Sequence, residues 1–373
     1  MTDVPILTSE AEVEELAAAL LKESSVAIDL EMDSMHNYQD KICLAQISTP
    51  ADTFIIDPLA GGNLAPLAPV FSAPDIRKIF HAADYDLRSL KRDYGFEVRG
   101  LFDTMVSSQL CGEEKIGLAD LLAKYFGVVL DKKYQRADWS QRPLKNEMIR
   151  YAAEDTIYLH RLVAILEEKL ESLGRLSWVE EECEWLEKVA FDVNTGPLFL
   201  RFKGAGRLER RQLAALEELL QWRDREAERR NCPHFKIVGN KQILSLVQID
   251  PATTGGLNGV EGLSERQVGR YGRSLLECLE SARAVDEEQL PHFPRPARSK
   301  KDPQADKLLT ELKSWRTKKA VELGLDPGVL INNSLLEIIS RRRPGRVDAL
   351  QEITGLRRWQ FDLLGKELVA IVS

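Results

Sequence analysis

The segment Tyr151-Ala-Ala-Glu-Asp155 lies inside a helical pattern that runs from about Leu144 to Leu170. Met148, Tyr151, Ala152, Leu159, Leu162 and Leu166 recur at helical spacing and mark the face to be buried. Asp155 falls on that face one turn after Tyr151, so the two side chains point the same way. A carboxylate on an apolar stripe is costly without a compensating partner. Two partners suit it. One is an arginine such as Arg142, giving a buried ion pair; the other is a metal ion, with the tyrosine beside it. The choice turns on whether the chain supplies further carboxylates at the right places.

Upstream, a short amphipathic helix is expected over Glu10 to Lys22. Val26 to Glu31 then alternates, with Val26, Ile28 and Leu30 on one side and Ala27, Asp29 and Glu31 on the other. A central strand of an α/β sheet is apolar on both faces. Asp29 and Glu31 therefore either lie near the strand end or line a site. Ile42 to Ile47 and Thr53 to Ile56 read as the next strands, and the order suggests an antiparallel meander opening an α/β domain. Lys78 to Ala82 is a further strand. A helix follows it, with Asp84 and Asp86 in the first turn, where acids also serve as caps. Asp103, Asp120 and Asp131 have similar local roles as turn or cap residues. Gly117 to Phe126 reads as a helix. The extended loop Asp138-Trp-Ser-Gln-Arg-Pro-Leu144 leads into the long helical pattern, with Pro143 near its first position. Another helix is expected from Trp178 to Asn194.

At 373 residues the chain has room for two or three domains. No stretch approaches the roughly 18 apolar residues of a membrane span. The opening Met1-Thr-Asp-Val-Pro has no basic segment followed by an apolar core, so no secretory signal is expected. Cys43, Cys111, Cys183, Cys232 and Cys278 are scattered, which fits a reducing, cytoplasmic location and argues against structural zinc. The histidines are isolated too, so any metal should be held by oxygen. The net charge of -8 argues against a polyanionic partner. Its distribution softens that argument: Glu167 to Glu187 is acidic, whereas Arg295 to Lys319 and Arg341 to Arg346 are basic.

After Gly206 the chain turns into short amphipathic helices with an internal repeat. Leu219-Leu-Gln-Trp222-Arg223 echoes Leu312-Lys-Ser-Trp315-Arg316, Asn240 echoes Asn332, and Gly262-Leu263 echoes Gly355-Leu356. The offset is 92 or 93 residues at each landmark, which implies two copies of one small helical module. Pro291 to Pro303 between them is rich in proline and base and reads as a linker. Lys236, Lys241, Arg266, Arg270 and Arg273 of the first module, with Arg295 to Lys301, are candidate phosphate contacts.

Asp29, Glu31, Asp86 and Asp155 make a carboxylate set suited to hard cations such as Mg²⁺ or Mn²⁺. Such a set can hold two ions about 4 Å apart, the arrangement that serves in-line displacement at phosphorus. Tyr151 stands beside it as a water-orienting group. The segments Asp29-x-Glu31, His81 through Asp86-Leu87, and Tyr151-x-x-x-Asp155 resemble the three motifs of DEDDy 3′–5′ exonucleases. Asp138-Trp-Ser-x-Arg-Pro-Leu followed by Tyr151-Ala-x-x-Asp155-x-x-Tyr158-Leu is similar to ribonuclease D, and the trailing repeats resemble HRDC domains. In that family the second-motif acid precedes a leucine, which selects Asp86 and leaves Asp84 as a cap.

The resemblance implies an α/β fold: a ribonuclease H-like 3′–5′ exonuclease domain with mixed sheet and flanking helices, then two small all-α HRDC-like domains. The boundaries expected are 1–203 for the nuclease, 207–285 for the first HRDC domain, 286–303 for a basic linker and 304–373 for the second, divergent one. The implied activity is 3′–5′ exoribonucleolytic trimming of precursor tRNAs and other small structured RNAs, releasing 5′-mononucleotides. The implied catalytic set is Asp29, Glu31, Asp86, Tyr151 and Asp155. Its four carboxylates are the implied ligands of two divalent metal ions (Mg²⁺ or Mn²⁺). RNA is the implied partner, and no membrane is. A DNA 3′–5′ exonuclease of the same chemistry and a non-catalytic RNA-binding scaffold are the alternatives.

Overall fold

A computed structural model describes residues 4–33, 35–131, 133–189, 196–294 and 302–373 of the chain. Six strands form one mixed sheet: β1 (Ile6–Leu7), β2 (Ser25–Met32), β3 (Ile42–Ser48), β4 (Thr53–Ile56), β5 (Arg77–Phe80) and β6 (Leu101–Asp103). Their order is β1-β4-β3-β2-β5-β6, with β2-β3-β4 antiparallel and β5 and β6 parallel to β2. The expected meander is present, and β2 is central. Val26, Ile28 and Leu30 are buried on one face of β2. On the other face, Ala27, Asp29 and Glu31 stand opposite Ser48, Gln46 and Leu44 of β3. β5 pairs only with Ser25 to Ala27, so Asp29 and Glu31 lie beyond it, at the carboxyl end of β2.

The single helix expected from Leu144 to Leu170 is two helices, Asn146–Ile157 and Leu159–Ser172, broken at Tyr158. Pro143 precedes the first of these by three residues rather than opening it. The break lets the first helix cover the meander through Met148, Ala152, Ala153 and Thr156. The second turns Leu159, Leu162, Val163 and Leu166 towards the opposite part of the core. Ser48 fixes the contact by sharing a hydrogen bond of 2.7 Å with Thr156.

The Arg142 guanidinium does not reach Asp155. Its Nε and Nη2 donate to the Asp57 carboxylate, both at 2.6 Å, and Nη2 also donates to the Cys43 carbonyl at 3.0 Å. The extended loop is thereby locked onto β3 ahead of Tyr151. Asp57 is nearly fully buried, and this fork sets an opposite charge against it. Arg142→Ala is expected to destabilise the fold by about 3 kcal/mol, because it strands a buried carboxylate. Arg142→Lys should recover only part of the loss, since an ammonium cannot make the bidentate fork. Denaturant melts of both variants check this.

By its internal contacts the chain forms two compact units, residues 1–32, 42–191 and 300–373 in one, and 33–41 with 192–299 in the other. In the first, the C-terminal helical repeat packs against the nuclease helices. Trp178 stacks on Trp359 at 4.5 Å between ring centroids. The Glu181 carboxylate accepts from the backbone N–H groups of Arg358 and Trp359, at 2.7 and 3.0 Å, where the helix Arg358–Val372 begins. Glu182 accepts from Trp359 Nε1 and Arg357 Nε. Arg175 donates to the carbonyls of Leu110 and Leu323. Gly112, at a φ of 78°, lies so close to the Gly324 carbonyl that any Cβ would collide with it. Part of the acidity of the 167–187 segment is therefore spent inside this unit rather than presented to a polyanion.

The repeat is structural as well as sequential. Arg223 donates to the Val238 carbonyl and Arg316 to the Ile331 carbonyl, at equivalent places between helices. Gln267 and Gln360 likewise donate to the Ile237 and Leu330 carbonyls. The helix Leu176–Leu186 is shorter than the one expected to Asn194, and residues 190–195 lie outside the described residues. So does the basic stretch from Arg295 to Lys301. Among the described residues no helix is long and apolar enough to cross a membrane.

Candidate metal centre and active site

Asp29 and Glu31 share a face of β2, and the helix Asn146–Ile157 lies across that face. Asp155 comes from this helix, and carboxylate oxygens of Asp29, Glu31 and Asp155 all lie within 4.8 Å of one another. Asp86, buried in the first turn of the helix Asp84–Tyr94, is outside that set of three. Its charge nevertheless acts on Glu31, and that of Asp29 acts on it. The structure thus brings three of the four expected acids together and leaves Asp86 outside that set but near enough to exchange charge effects with it.

No basic side chain makes an ion pair with these four among the described residues. Burial is the main force on each, and for Glu31, Asp86 and Asp155 repulsion from neighbouring carboxylates adds to it. It pushes Asp29 up to about 7 and Asp155 up to about 8. Glu31 and Asp86 are held well above the usual carboxylate range for the same reasons. Oxygen donors that repel one another when ionised suit a hard divalent cation, which favours the charged forms.

Tyr151 is half-buried beside this cluster. Burial, then Asp155, Glu31 and Asp29, push its phenol further above its ordinary value of 10.0. It is therefore protonated at any physiological pH: it can orient a water but cannot act as the base. Its ring is wedged between Tyr134, edge-on at 5.9 Å, and Trp139, tilted at 6.0 Å. Tyr151→Phe keeps this packing and removes only the hydroxyl. We expect hydrolysis to slow by about 10²-fold or more with RNA affinity nearly unchanged, which single-turnover kinetics and binding titrations would separate.

Asp84 does not cap its helix. It pairs instead with Arg88 one turn on, at 2.9 Å, on the exposed side. The capping role expected of Asp103 is present, since it accepts from the Met105 and Val106 N–H groups. Its carboxylate also accepts from the N–H groups of Ala82 and Ala83, at 3.1 and 2.7 Å. Ala82 has a φ of 67°, a left-handed conformation that costs an alanine about 1–2 kcal/mol. Asp103 thus holds the strained turn that delivers Asp86. His81 of the same turn shares a hydrogen bond of 2.9 Å with Thr104, and burial lowers its pKa. From the sequence Asp103 reads only as a local cap and Asp57 carries no role. The only signals were an acid at a strand end in each case and the arginine of the loop before Tyr151.

Fold and site together define a class of protein: a metal-dependent type of 3′–5′ exonuclease followed by helical HRDC repeats. Residues 4–171 match the family described as 3′–5′ exonuclease, and residues 212–279 and 305–372 each match the HRDC domain. Ribonuclease D of Acidiphilium cryptum is 35% identical over 304 residues, which is 80% of this chain and 77% of that protein. Ribonuclease D of Zymomonas mobilis is 30% identical over 99% of this chain and 94% of its own length. The crystal structure of Escherichia coli RNase D superposes with a TM-score of 0.77 at 25% identity, covering 100% of this chain and 99% of that one. The chain belongs to the ribonuclease D family, whose members are 3′–5′ exoribonucleases.

Proposed function

We propose that this chain trims the 3′ ends of precursor tRNAs and other small structured RNAs, releasing 5′-mononucleotides. The observation that carries this reading is the set of carboxylates from the end of β2 and from two helices, with no basic partner among the described residues and flanked by Tyr151. It is supported by family membership and by the relative from E. coli, described as an exoribonuclease involved in structured RNA processing. Asp29, Glu31, Asp86 and Asp155 would hold two divalent cations, Mg²⁺ or Mn²⁺. When bound, such a pair supplies the charge neutralisation that displacement at phosphorus needs. Tyr151 orients the attacking water from a protonated phenol. Asp103 keeps Asp86 in place, and the Arg142–Asp57 fork keeps the Tyr151 loop in place. We assign residues 1–203 to the nuclease, 207–285 and 304–373 to HRDC domains, and 286–303 to the linker.

The test is to incubate the protein with 3′-tailed tRNA and with matched single-stranded DNA, with Mg²⁺, Mn²⁺ or EDTA, and to resolve the products. Expected are mononucleotides from the RNA 3′ end, stalling near a stable stem, and no reaction in EDTA. Equal rates on DNA would favour a DNA exonuclease. Full activity in chelator would end the metal reading.

The first HRDC domain is proposed as an RNA-holding surface. Lys236, Lys241, Arg266, Arg270 and Arg273 are all exposed. Lys241 is paired with Glu261 and Arg273 with Glu277, both at the surface, where such pairs contribute little and phosphates can displace them. Replacing each contacting base by alanine is expected to flatten the slope of log affinity against log salt by roughly 0.7. Binding measured at several salt concentrations decides it; parallel lines of equal affinity would exclude this surface.

A further inference from the structure

Gln46 is the anomaly of the sheet. It sits within Ile42-Cys-Leu-Ala-Gln-Ile-Ser48, a strand buried at every position. Its own exposure is 0%, and neither Nε2 nor Oε1 has a hydrogen-bond partner among the described residues. An orphaned buried amide destabilises the fold for each unmet group, and a leucine or methionine of similar volume would avoid that cost. The hydroxyl groups nearby are already used, since Ser48 is shared between Thr53 and Thr156. The register supplies the missing partner. Gln46 is directly opposite Asp29 in the antiparallel pairing of β2 with β3, so the two side chains share a face. Directly opposed Cβ atoms are about 4.5–5.5 Å apart, within reach of a glutamine that rotates its side chain. Trp139, whose ring lies beside Tyr151, packs on the same layer and carries a second unpartnered buried donor, Nε1.

We propose that Gln46 is a positioning residue of the carboxylate site, donating its amide N–H to the Asp29 carboxylate and holding it turned towards bound cations. The inference rests on the metal-centre reading given above. Gln46 touches no substrate; it acts through Asp29. A carboxylate that binds a cation presents one side to it and needs donors on the other, and groups that supply such donors typically change metal affinity 10–100-fold when removed. The amide fits that need with an N–H that carries no charge of its own. A lysine or arginine there would neutralise Asp29 and compete with the cation. The buried amide is then kept for a bond to Asp29 that is made when cations are held.

The experiment uses the full chain, with Gln46→Leu, Gln46→Met and Asp155→Ala beside the wild type. Mn²⁺ binding is measured by titration calorimetry and thermal unfolding is followed in EDTA. Both Gln46 variants are expected to bind Mn²⁺ at least about tenfold more weakly, with a melting temperature in EDTA equal to or above that of the wild type. Two differently shaped replacements separate loss of the amide from loss of packing, and if one fails to fold the other decides. A lower melting temperature with Mn²⁺ affinity within twofold of wild type would make Gln46 a structural residue and overturn the proposal. So would unchanged values of both. If the wild type takes up no Mn²⁺, or Asp155→Ala takes up as much, the metal-centre reading itself fails. If Asp155→Ala loses Mn²⁺ while the Gln46 variants do not, only the inference about Gln46 fails.

Discussion

Asp155→Ala is expected to abolish RNA trimming while raising the melting temperature of the chain in chelator. The two effects share one cause. Asp155 contributes one of three carboxylates whose oxygens lie within 4.8 Å of one another, with no basic partner among the described residues. With cations held at the proposed site that charge is expected to be needed: losing a ligand should forfeit several kcal/mol of stabilisation of the reaction, about a thousandfold or more in rate. Without cations the same carboxyl is a liability. Burial and the charge of Asp29 push it up to about 8, which means its ionised form is disfavoured where it sits. Alanine removes that burden and is also the better helix former in Asn146–Ile157. An activity assay in Mn²⁺ and a melt in EDTA read the two halves. Wild-type turnover would remove Asp155 from the site, and a large drop in melting temperature would mean that its carboxyl stabilises the metal-free fold.

The second large effect is on pH. In EDTA the chain should lose stability as pH rises from 6.5 to 8. In the unfolded chain every carboxyl is ionised across that window, because ordinary values are 3.8 for Asp and 4.5 for Glu. In the folded chain Asp29 and Asp155 titrate near 7 and 8, and Glu31 and Asp86 are also raised. The folded state therefore holds more protons, and stability falls as they leave. Below pH 6.5 His81 and His160, kept neutral by burial, work in the opposite sense, which is why the comparison starts there. A divalent cation takes the place of the protons, so its affinity should rise with pH and its presence should flatten or reverse the slope. Unfolding curves at pH 6.5, 7.2 and 8, with and without Mn²⁺, measure this. Stability that climbs with pH in EDTA would show that the carboxyls are not held protonated.

Periodicity alone determined much of this protein. The alternation of Val26 to Glu31 placed Asp29 and Glu31 together on one face, because side chains on a strand alternate whatever surrounds them. The one-turn spacing of Tyr151 and Asp155 put both on one side of a helix for the same local reason. The constant offset between the C-terminal modules foretold a repeat that the paired arginines and glutamines bear out. All of these are short-range facts, fixed by backbone geometry within a few residues or by comparing the chain with itself.

Tertiary structure decided what depends on residues far apart in the chain. No glycine or proline marks the break at Tyr158; packing against different parts of the core imposes it. Arg142 had an acid to find, and the fold gave it Asp57, 85 residues away, rather than Asp155. Asp103 looked like any cap, and only the adjacency of β6 to β5 lets one carboxylate also hold the turn before Asp86. In the sequence the acids around Glu181 are only a run of charge; the fold begins the C-terminal helix on top of them. Gln46 is the sharpest case. An amide in an apolar strand has no local meaning, and its neighbour Asp29 is set by strand register, a long-range choice made by the burial of whole faces.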